Sequence, residues 1–293
     1  MKKEMKFFYI LMFLSMLGWG ASWVSVKVLT RYIDEYQMIF FRFFITALTM
    51  IPIILILKKS FRIDLKTLFI VIIDAVVLIA YMKYFFLGTE YGTASLGGAL
   101  VTTLVPINTF LLIALLEMKK ISKKDAIALI IGGIGVLTML NVWSFNAKEI
   151  FLKQNLYFIL ASLLWPVFTI ISSKSKKISP ITFTFYLYIA TVILDIIFFM
   201  DVKKIDFSSF DTLFWINLFI LTIISSTFSN TIYFLGIEKL GAANVSSFIF
   251  LVPFFAIILS YIFLKEQITP YIVIGTIMTL YAVKELNNIK IIK

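Results

Sequence analysis

Ten stretches of about 20 mostly apolar residues follow one another along the chain, separated by short polar connections. They lie at residues 7–28, 35–57, 67–87, 94–116, 124–142, 154–173, 180–200, 212–235, 242–264 and 268–287. An α-helix rises ~1.5 Å per residue, so about 20 apolar residues cross the ~30 Å hydrocarbon core of a bilayer. The sequence therefore predicts an all-α, polytopic membrane protein with ten transmembrane helices, whose first partner is the lipid bilayer.

The amino-acid composition excludes several functional classes. The 293 residues are 61% hydrophobic and contain neither histidine nor cysteine. Disulfides, thiolate or imidazole metal sites and Ser-His-Asp catalysis are therefore excluded. The sequence contains no nucleophile paired with a base and no nucleotide-binding loop, so we expect a protein that is not an enzyme and that carries no cofactor or metal.

The positive charge of the chain follows the predicted membrane topology. The formal net charge of +11 comes from short lysine clusters between apolar runs, which favours membrane topology over nucleic-acid binding. With the N-terminus inside, the inner segments hold 18 of the 27 Lys and Arg residues, and the outer ones hold 8. The positive-inside rule then predicts a protein of the bacterial cytoplasmic (inner) membrane with both termini in the cytoplasm.

One membrane-length stretch occurs twice. Gly92–Glu117 reads GTASLGGALVTTLVPINTFLLIALLE, and Gly241–Glu266 reads GAANVSSFIFLVPFFAIILSYIFLKE. Both boundary residues are displaced by 149 positions, and the internal prolines, Pro106 and Pro253, are displaced by 147. The two stretches are therefore expected to occupy equivalent places in two halves of the molecule.

The repeat extends over the whole chain. Trp19 is echoed by Trp165 at a displacement of 146 residues, close to half the chain length. Five helices is an odd number, so the second half must enter the membrane from the opposite side. We therefore predict two inverted five-helix repeats, residues 1–145 and 146–293, an architecture typical of secondary transporters.

Motifs in both halves resemble those of EamA-type members of the drug/metabolite transporter superfamily. The matching positions are Trp19, Gly20, Arg42, Phe43, the Gly92–Glu117 stretch with Pro106, Gly132, Gly133, Gly135, Pro253, Glu266 and Gly275. The resemblance implies alternating access around a central site, with export of amino acids or related small metabolites. This sequence departs from the pattern at Pro166, which follows Trp165 where the first repeat has a glycine.

Aromatic and polar residues within the apolar runs are candidates for lining the central cavity. Aromatic walls with a few orienting polar groups suit a small amphipathic metabolite. For Thr102 and Ser247, which belong to rows of small residues four apart, close helix packing competes with substrate contact. The candidates are Trp19, Trp23, Asp74, Tyr81, Thr102, Asn108, Trp165, Ser226, Asn230 and Ser247.

Ionisable residues inside the predicted spans are costly and usually face protein or a wet cavity. Asp74 is the candidate for coupling transport to protons, because the chain has no histidine and Asp74 lies far from a loop. Alternatively, Asp74 pairs with Arg42 or joins a network of hydroxyls. Facilitated diffusion without a coupling ion stays open.

Pro106, Pro253, Glu117 and Glu266 are candidates for hinges and gates. A proline within a helix removes one backbone hydrogen bond and kinks or weakens the helix. Glu117 and Glu266 end the two repeated helices on opposite sides of the membrane, where each supports a gate or pairs with neighbouring lysines. The alternative for the prolines is that they only shape the bundle.

Two other functions compete with metabolite export. A nucleotide-sugar or sugar-phosphate carrier would need several cations facing the cavity, whereas only Arg42 and Lys83 are available for that role. A non-transporting membrane scaffold or lipid flippase subunit has no need of a duplicated, proline-containing helix.

Overall fold

A computed structural model shows the chain as a bundle of long α-helices. It describes residues 2–116, 121–144, 146, 151–175, 178–240, 245 and 248–286, and no strand occurs among them. The helices are α1 Lys2–Leu29, α2 Glu35–Ile56, α3 Leu65–Tyr91, α4 Ala94–Leu116, α5 Lys123–Met139, α6 Lys153–Ser172, α7 Pro180–Phe198, α8 over 212–240, α9 Leu251–Leu264 and α10 Pro270–Leu286. The predicted all-α fold is confirmed.

Most of these helices match the thickness of a membrane. By length and composition, seven helices of the described chain suffice to span a bilayer, namely α1 to α4 and α6 to α8. The described part of α9 is a shorter apolar helix. Helices α5 and α10 have 17 residues each, ~25 Å of helix, which is the lower limit for a span. The polytopic membrane fold expected from the sequence is therefore confirmed.

Short polar side chains begin several helices. A side-chain oxygen at the N-cap accepts a hydrogen bond from one of the free N–H groups of the first turn. In α2 the cap is a full capping box, in which Asp34 and Gln37 satisfy each other's backbone N–H groups. The same N-cap role is played by Asp64 in α3, Ser122 in α5, Ser179 in α7 and Asp211 in α8.

Helix α8 changes its winding in the middle of the bundle. It is α-helical over Thr212–Phe219, π-helical over Ile220–Phe228 and α-helical again over Ser229–Leu240. In this region Ser226 and Thr227 donate their hydroxyl protons to backbone carbonyls five residues earlier, at 2.8 and 3.0 Å. Because π-helical turns frequently occur at functional sites, the residues around Ser226 are candidates for such a site.

Glycines allow α1, α4 and α9 to approach closely. A methyl group added at Gly20 of α1 would overlap with Phe255 of α9, and one added at Gly98 of α4 would overlap with Ala256. Gly275 of α10 similarly lies against the backbone of α5. Small residues permit this because, within a membrane, close van der Waals packing holds helices together.

The two repeated prolines have different local consequences. Pro106 lies inside α4, which is helical from Ala94 to Leu116. The sequence places one helix over 242–264, whereas the structure has a turn at residues 249–250, just before α9. Pro253 has no N–H for the Ile249 carbonyl, and that carbonyl instead accepts from Val252 at 3.0 Å.

Candidate functional site

Arg42 points into the bundle, away from the lipid. The lipid-facing side of α2 consists of Phe44, Leu48, Ile51 and Leu55, which are 37–62% exposed. With ~100° between successive residues, Arg42 lies on the opposite side of the helix. The side chain is nevertheless partly accessible, so the space that it reaches lies inside the bundle.

Neutral groups surround the Arg42 guanidinium. Its Nε donates to Ser226 Oγ of α8 at 3.0 Å, and its Nη1 lies 3.7 Å from Met82 Sδ of α3. The ring of Phe43 lies 5.7 Å from the guanidinium carbon. Among the described residues, ion pairs form at a distance from this site, at Lys124–Glu285, Lys204–Asp201 and Lys284–Glu285. Arg42 is thus a cation without a paired carboxylate in the part of the chain that the structure describes.

A chain of hydrogen bonds lies next to this cation. Trp19 of α1 donates from Nε1 to Asn230 Oδ1 of α8 at 3.0 Å, and Asn230 Nδ2 donates to the Tyr188 hydroxyl of α7 at 2.8 Å. The Tyr188 ring stacks on Phe43, with 4.6 Å between ring centroids. We call Trp19, Arg42, Tyr188, Ser226 and Asn230 the central polar cluster. It joins α1, α2, α7 and α8.

An aromatic wall extends from the central polar cluster along α3 and α6. The rings of Tyr81 and Trp165 are 4.8 Å apart, and Trp165 packs on Phe168 at 5.0 Å. Trp165 and Phe168 are partly exposed although they belong to the core of the bundle. Of the predicted cavity residues, the structure therefore groups Trp19, Ser226 and Asn230 in the cluster and Tyr81 with Trp165 in this wall.

Trp23 and Thr102 have surroundings that fit packing. Trp23 is 4% exposed and packs edge-on against Phe85 at 4.4 Å. Gly97 and Gly98 also lie against its indole ring. Thr102 is partly exposed, and its hydroxyl donates to the Gly98 carbonyl of its own helix.

Asn108 contacts the part of α6 whose backbone hydrogen bonds are interrupted by a proline. Its Nδ2 donates to the Ser162 carbonyl at 3.1 Å and to Ser162 Oγ at 3.0 Å. Pro166 lies four residues after Ser162 and has no N–H to donate to this carbonyl. Asn108 therefore satisfies a backbone group that Pro166 leaves free, and it connects α4 to α6.

Asp74 is fully buried and contacts a hydroxyl. Its Oδ2 accepts from Ser172 Oγ of α6, while its Oδ1 has no hydrogen-bond partner among the described residues. The alternative that Asp74 pairs with Arg42 is wrong, because the guanidinium contacts Ser226 and Met82 instead. The structure shows the other alternative, a contact with a hydroxyl, which is that of Ser172.

Asp195 of α7 is a second buried carboxylate, to which the sequence reasoning assigned no role. It has no exposed surface, and neither of its oxygens has a hydrogen-bond partner in the described ranges. Lys83, a second cation within the spans, lies with its ammonium 5.3 Å from the ring of Tyr36, near the start of α2. It does not join the central polar cluster.

Glu266 caps α4 from the other repeat. Its Oε1 accepts from the backbone N–H of Ala94 at 2.8 Å, and its Oε2 accepts from that of Ser95 at 2.9 Å. This contact lies at the end of the bundle opposite the start of α1 and the end of α10, where α9 finishes and α4 starts. A carboxylate is well placed there, because it satisfies free N–H groups at the positive end of the helix dipole.

Lys27 strengthens the same end of the bundle. Its ammonium group donates to the backbone carbonyls of Thr89, Glu90 and Gly92 at 2.9, 2.7 and 2.7 Å. These carbonyls lie at the end of α3 and in the connection to α4. Lys27 and Glu266 therefore tie α1 and α9 to the α3–α4 connection. Two other candidates, Glu117, which is the equivalent of Glu266 in the other repeated stretch, and Ser247, lie outside the described residues.

An apolar groove of about 240 Å³ lies between α2 and α7. Its lining is Phe44, Ala47, Leu48, Ile51, Phe185, Ile189, Val192 and Ile193. All these side chains are apolar, and Phe44, Leu48 and Ile51 belong to the lipid-facing side of α2. The groove therefore suits acyl chains, whereas a polar metabolite would find no hydrogen-bond partner there.

The structure adds Tyr188, Met82 and Lys27 to the residues of interest. Tyr188 belongs to a row of polar residues three or four apart on α7, namely Thr184, Tyr188, Thr191 and Asp195. That spacing is a signal for one helix face. No sequence pattern indicated the roles of Met82 and Lys27, because their partners are distant in sequence.

Comparisons with known proteins agree with this architecture. The sequence matches the EamA-like transporter family over residues 6–141 and again over 152–284. A protein of Archaeoglobus fulgidus described as an uncharacterized transporter is 23% identical over 286 residues, covering 94% of this chain and 95% of its own. The uncharacterized transporter YyaM of Bacillus subtilis is 22% identical over 271 residues, covering 90% of this chain and 88% of its own.

A solved crystal structure shares the fold. It superimposes with a TM-score of 0.64 at 14% sequence identity and covers 94% of each chain. Each of the two family matches spans five helices, α1 to α5 and α6 to α10. Because the matches together cover most of its length, this chain belongs to the EamA-like transporter family.

Proposed function

We propose that this membrane transporter exports amino acids or related small metabolites by alternating access. The observation that carries the proposal is the central polar cluster, in which Arg42 and its neutral partners face space inside an apolar bundle. Polar groups at this depth are costly unless they serve a pathway or a site. With the aromatic wall, the cluster provides apolar area and a few orienting groups, as small-molecule sites do.

The contacts at the two ends of the bundle support alternating access. Glu266 and Lys27 hold together the end of the bundle at which α4 starts, through charge-assisted hydrogen bonds to backbone groups. Such contacts can break and reform without disrupting the apolar core. In this proposal they form one gate, Glu117 contributes to the other, and Pro106 and Pro253 lie where the repeated helices bend.

The proposed orientation places both termini in the cytoplasm of a bacterial cell with the transporter in its inner membrane. The support for this is the excess of Lys and Arg in the segments on that side. Fusion of the full chain to a C-terminal reporter that is active on only one side of the membrane tests the orientation. Reporter activity confined to the periplasm would contradict it.

Protons are the proposed coupling ion, with Asp74 as the residue that carries them. Asp74 is buried, and one of its carboxylate oxygens has no partner among the described residues. A sugar-phosphate or nucleotide-sugar carrier is less well supported, because Arg42 is the one cation within the central polar cluster. A second cation of the spans, Lys83, lies beside Tyr36 instead.

The test is a substrate panel with the purified full chain in liposomes. Binding is measured as thermal stabilisation and transport as counterflow, for amino acids, their deaminated relatives, polyamines and sugar phosphates. We expect a response to amino acids or related metabolites that Arg42→Gln weakens. A response confined to sugar phosphates would overturn the proposed substrate class, and binding without flux for every compound would favour a scaffold.

A further inference from the structure

We propose that the central polar cluster selects organic monoanions, metabolites with one carboxylate, an apolar body and no ammonium group. Zwitterionic amino acids are then poor substrates, and their deaminated relatives are good ones. This inference rests on the proposed function, because it assigns a substrate class to the same site. Three features of the cluster support it: the unpaired donors of Arg42, the direction of the hydrogen bonds around it, and the lack of a partner for an ammonium group.

The Arg42 guanidinium keeps donors available. It has five N–H groups, and its partners in the described chain are the Ser226 hydroxyl at Nε and the Met82 sulfur near Nη1. A thioether is a weak acceptor, so the two Nη atoms lack a strong one. Carboxylates bind guanidinium groups through two parallel N–H···O bonds, which these atoms can supply.

The hydrogen-bond chain next to Arg42 supplies a further donor. An indole N–H can only donate, so Trp19 requires Asn230 to accept through Oδ1. The Asn230 amide nitrogen then donates to the Tyr188 oxygen, which leaves the Tyr188 hydroxyl proton free for an external acceptor. The chain is therefore directed from Trp19 to Tyr188, and it ends in a donor.

Arg42 and Tyr188 are neighbours. The Tyr188 ring stacks on Phe43, whose own ring lies beside the guanidinium. The phenols of Tyr188 and Tyr81 both lie close enough to interact electrostatically with Arg42. Donors from two helices, α2 and α7, thus converge on one region. A carboxylate placed there would accept from both and would neutralise a cation that lacks a partner in the described chain.

An ammonium group would find little in the same place. Each acceptor of the central polar cluster already accepts one hydrogen bond and is oriented by it: Asn230 Oδ1 from Trp19, the Tyr188 oxygen from Asn230, and Ser226 Oγ from Arg42. The described side chains around Arg42 include no carboxylate, and Asp74 contacts Ser172. A desolvated ammonium without an anionic or well-oriented acceptor is costly, and Arg42 would repel it as well.

The test compares compounds that share a body and differ in charge. Three bodies are used, each as carboxylate, amino acid and amine: 3-phenylpropionate, phenylalanine and phenethylamine; indole-3-propionate, tryptophan and tryptamine; 4-methylvalerate, leucine and isoamylamine. Binding to the purified full chain is measured by thermal stabilisation and by tryptophan fluorescence. Counterflow in liposomes, with protein-free liposomes as the background for passive leak, measures transport.

We expect at least one carboxylate to bind roughly tenfold or more tightly than the amino acid with the same body, because the amino acid adds an ammonium group that is desolvated and repelled by Arg42. Equal or tighter binding of the amino acids would overturn the inference while leaving metabolite transport intact. Binding by none of the nine compounds would overturn both the inference and the proposed function for these bodies.

Variants separate charge from general structure. Arg42→Gln should remove the preference for the carboxylate, Arg42→Lys should keep part of it, and Tyr188→Phe should weaken carboxylate binding several-fold. Lys83→Gln is the matched control, since it removes the same charge from another helix within the bundle and should leave the preference unchanged. A preference for the carboxylate that is lost with Lys83→Gln but retained with Arg42→Gln and Tyr188→Phe would overturn the assignment of the site to the central polar cluster. If Arg42→Gln does not fold, Tyr188→Phe still tests that assignment.

Discussion

Asn108 of α4 donates to the Ser162 carbonyl of α6, the same carbonyl that Pro166 deprives of its helical hydrogen bond. The two residues lie 54 positions apart and in different repeats. A free carbonyl inside a membrane protein is costly, because no water replaces the missing partner. Pro166 of α6 thus creates the need for the hydrogen bond from Asn108 of α4. Substituting these two residues tests how the two helices are joined.

We predict that Asn108→Ala destabilises the protein by about 1–3 kcal/mol, the usual cost of a buried polar group that loses its partner. Pro166→Ala restores an N–H for the Ser162 carbonyl, so Asn108→Ala should cost less in that background. The measurement is a double-mutant cycle of unfolding in detergent. Additive effects of the two substitutions would contradict this relationship.

Two glycines of α5 make a matched pair. A methyl group at Gly135 would lie 2.9 Å from the Gly275 carbonyl oxygen and 2.9 Å from Thr279 Cγ2, whereas one at Gly133 would meet nothing within 4 Å. Gly135→Ala should therefore destabilise by about 1–3 kcal/mol through overpacking. Gly133→Ala should be neutral or stabilise by up to ~1 kcal/mol. Equal effects on the melting temperature would count against the close α5–α10 contact.

The Glu266 contact predicts a change in access from the end of the bundle at which α4 starts. Glu266→Ala removes both acceptors of the Ala94 and Ser95 N–H groups. The loss of a charge-assisted hydrogen bond shifts the equilibrium between the closed and the open state of this end of the bundle on the order of tenfold or more. Because the chain has no cysteine, Thr102→Cys provides a single reporter for a membrane-impermeant thiol reagent.

We expect faster labelling of this reporter when Glu266→Ala is added. Gln267→Ala, at the exposed neighbouring residue, is the control and should leave the rate unchanged. An unchanged labelling rate in the Glu266 variant would mean that the contact does not restrict access.

For coupling, we predict that Asp74→Asn abolishes any dependence of flux on a pH gradient, because the amide cannot take up or release a proton. Asp195→Asn makes the same change at a second fully buried carboxylate and should retain coupling. Flux is measured in liposomes with and without an imposed gradient. Unchanged coupling in Asp74→Asn would remove Asp74 from the mechanism.

Asp211 predicts a pH dependence at the start of α8, outside the membrane spans. Hydrogen bonds from the Phe214 backbone and the Tyr32 hydroxyl lower the pKa of this carboxyl. Its contribution to stability is therefore full above the ordinary carboxyl pKa and is lost as the pH falls through the lowered value. Asp211→Asn should remove this part of the pH dependence of unfolding in acid. An identical acid profile in the variant would refute the role of the cap.

Much of the architecture could be predicted from the order of residues. Runs of apolar residues such as Gly92–Glu117 reveal membrane helices, because length and hydropathy are local properties that a bilayer tests directly. The turn at residues 249–250, which interrupts the helix expected over 242–264, was not predicted, although Pro253 is a local signal for it.

The partners of the candidate residues were not predictable in the same way. The pairing of Arg42 with Asp74 was an alternative that the structure replaced by Ser226 and Met82. Trp23 was grouped with cavity residues, yet glycines of α4 bring that helix so close that Trp23 becomes buried. In each case the deciding neighbour comes from a helix distant in sequence.

The sequence by itself determined that this chain is an all-α membrane protein of the EamA-like family, because apolar length and repeated motifs are properties of consecutive residues. Only the tertiary structure decided which polar groups meet: Arg42 with Ser226, Trp19 with Asn230, and Asn108 with Ser162. The physical reason is that each helix satisfies its own backbone internally. Its side-chain partners depend on rotation and packing against other helices, which no local pattern specifies.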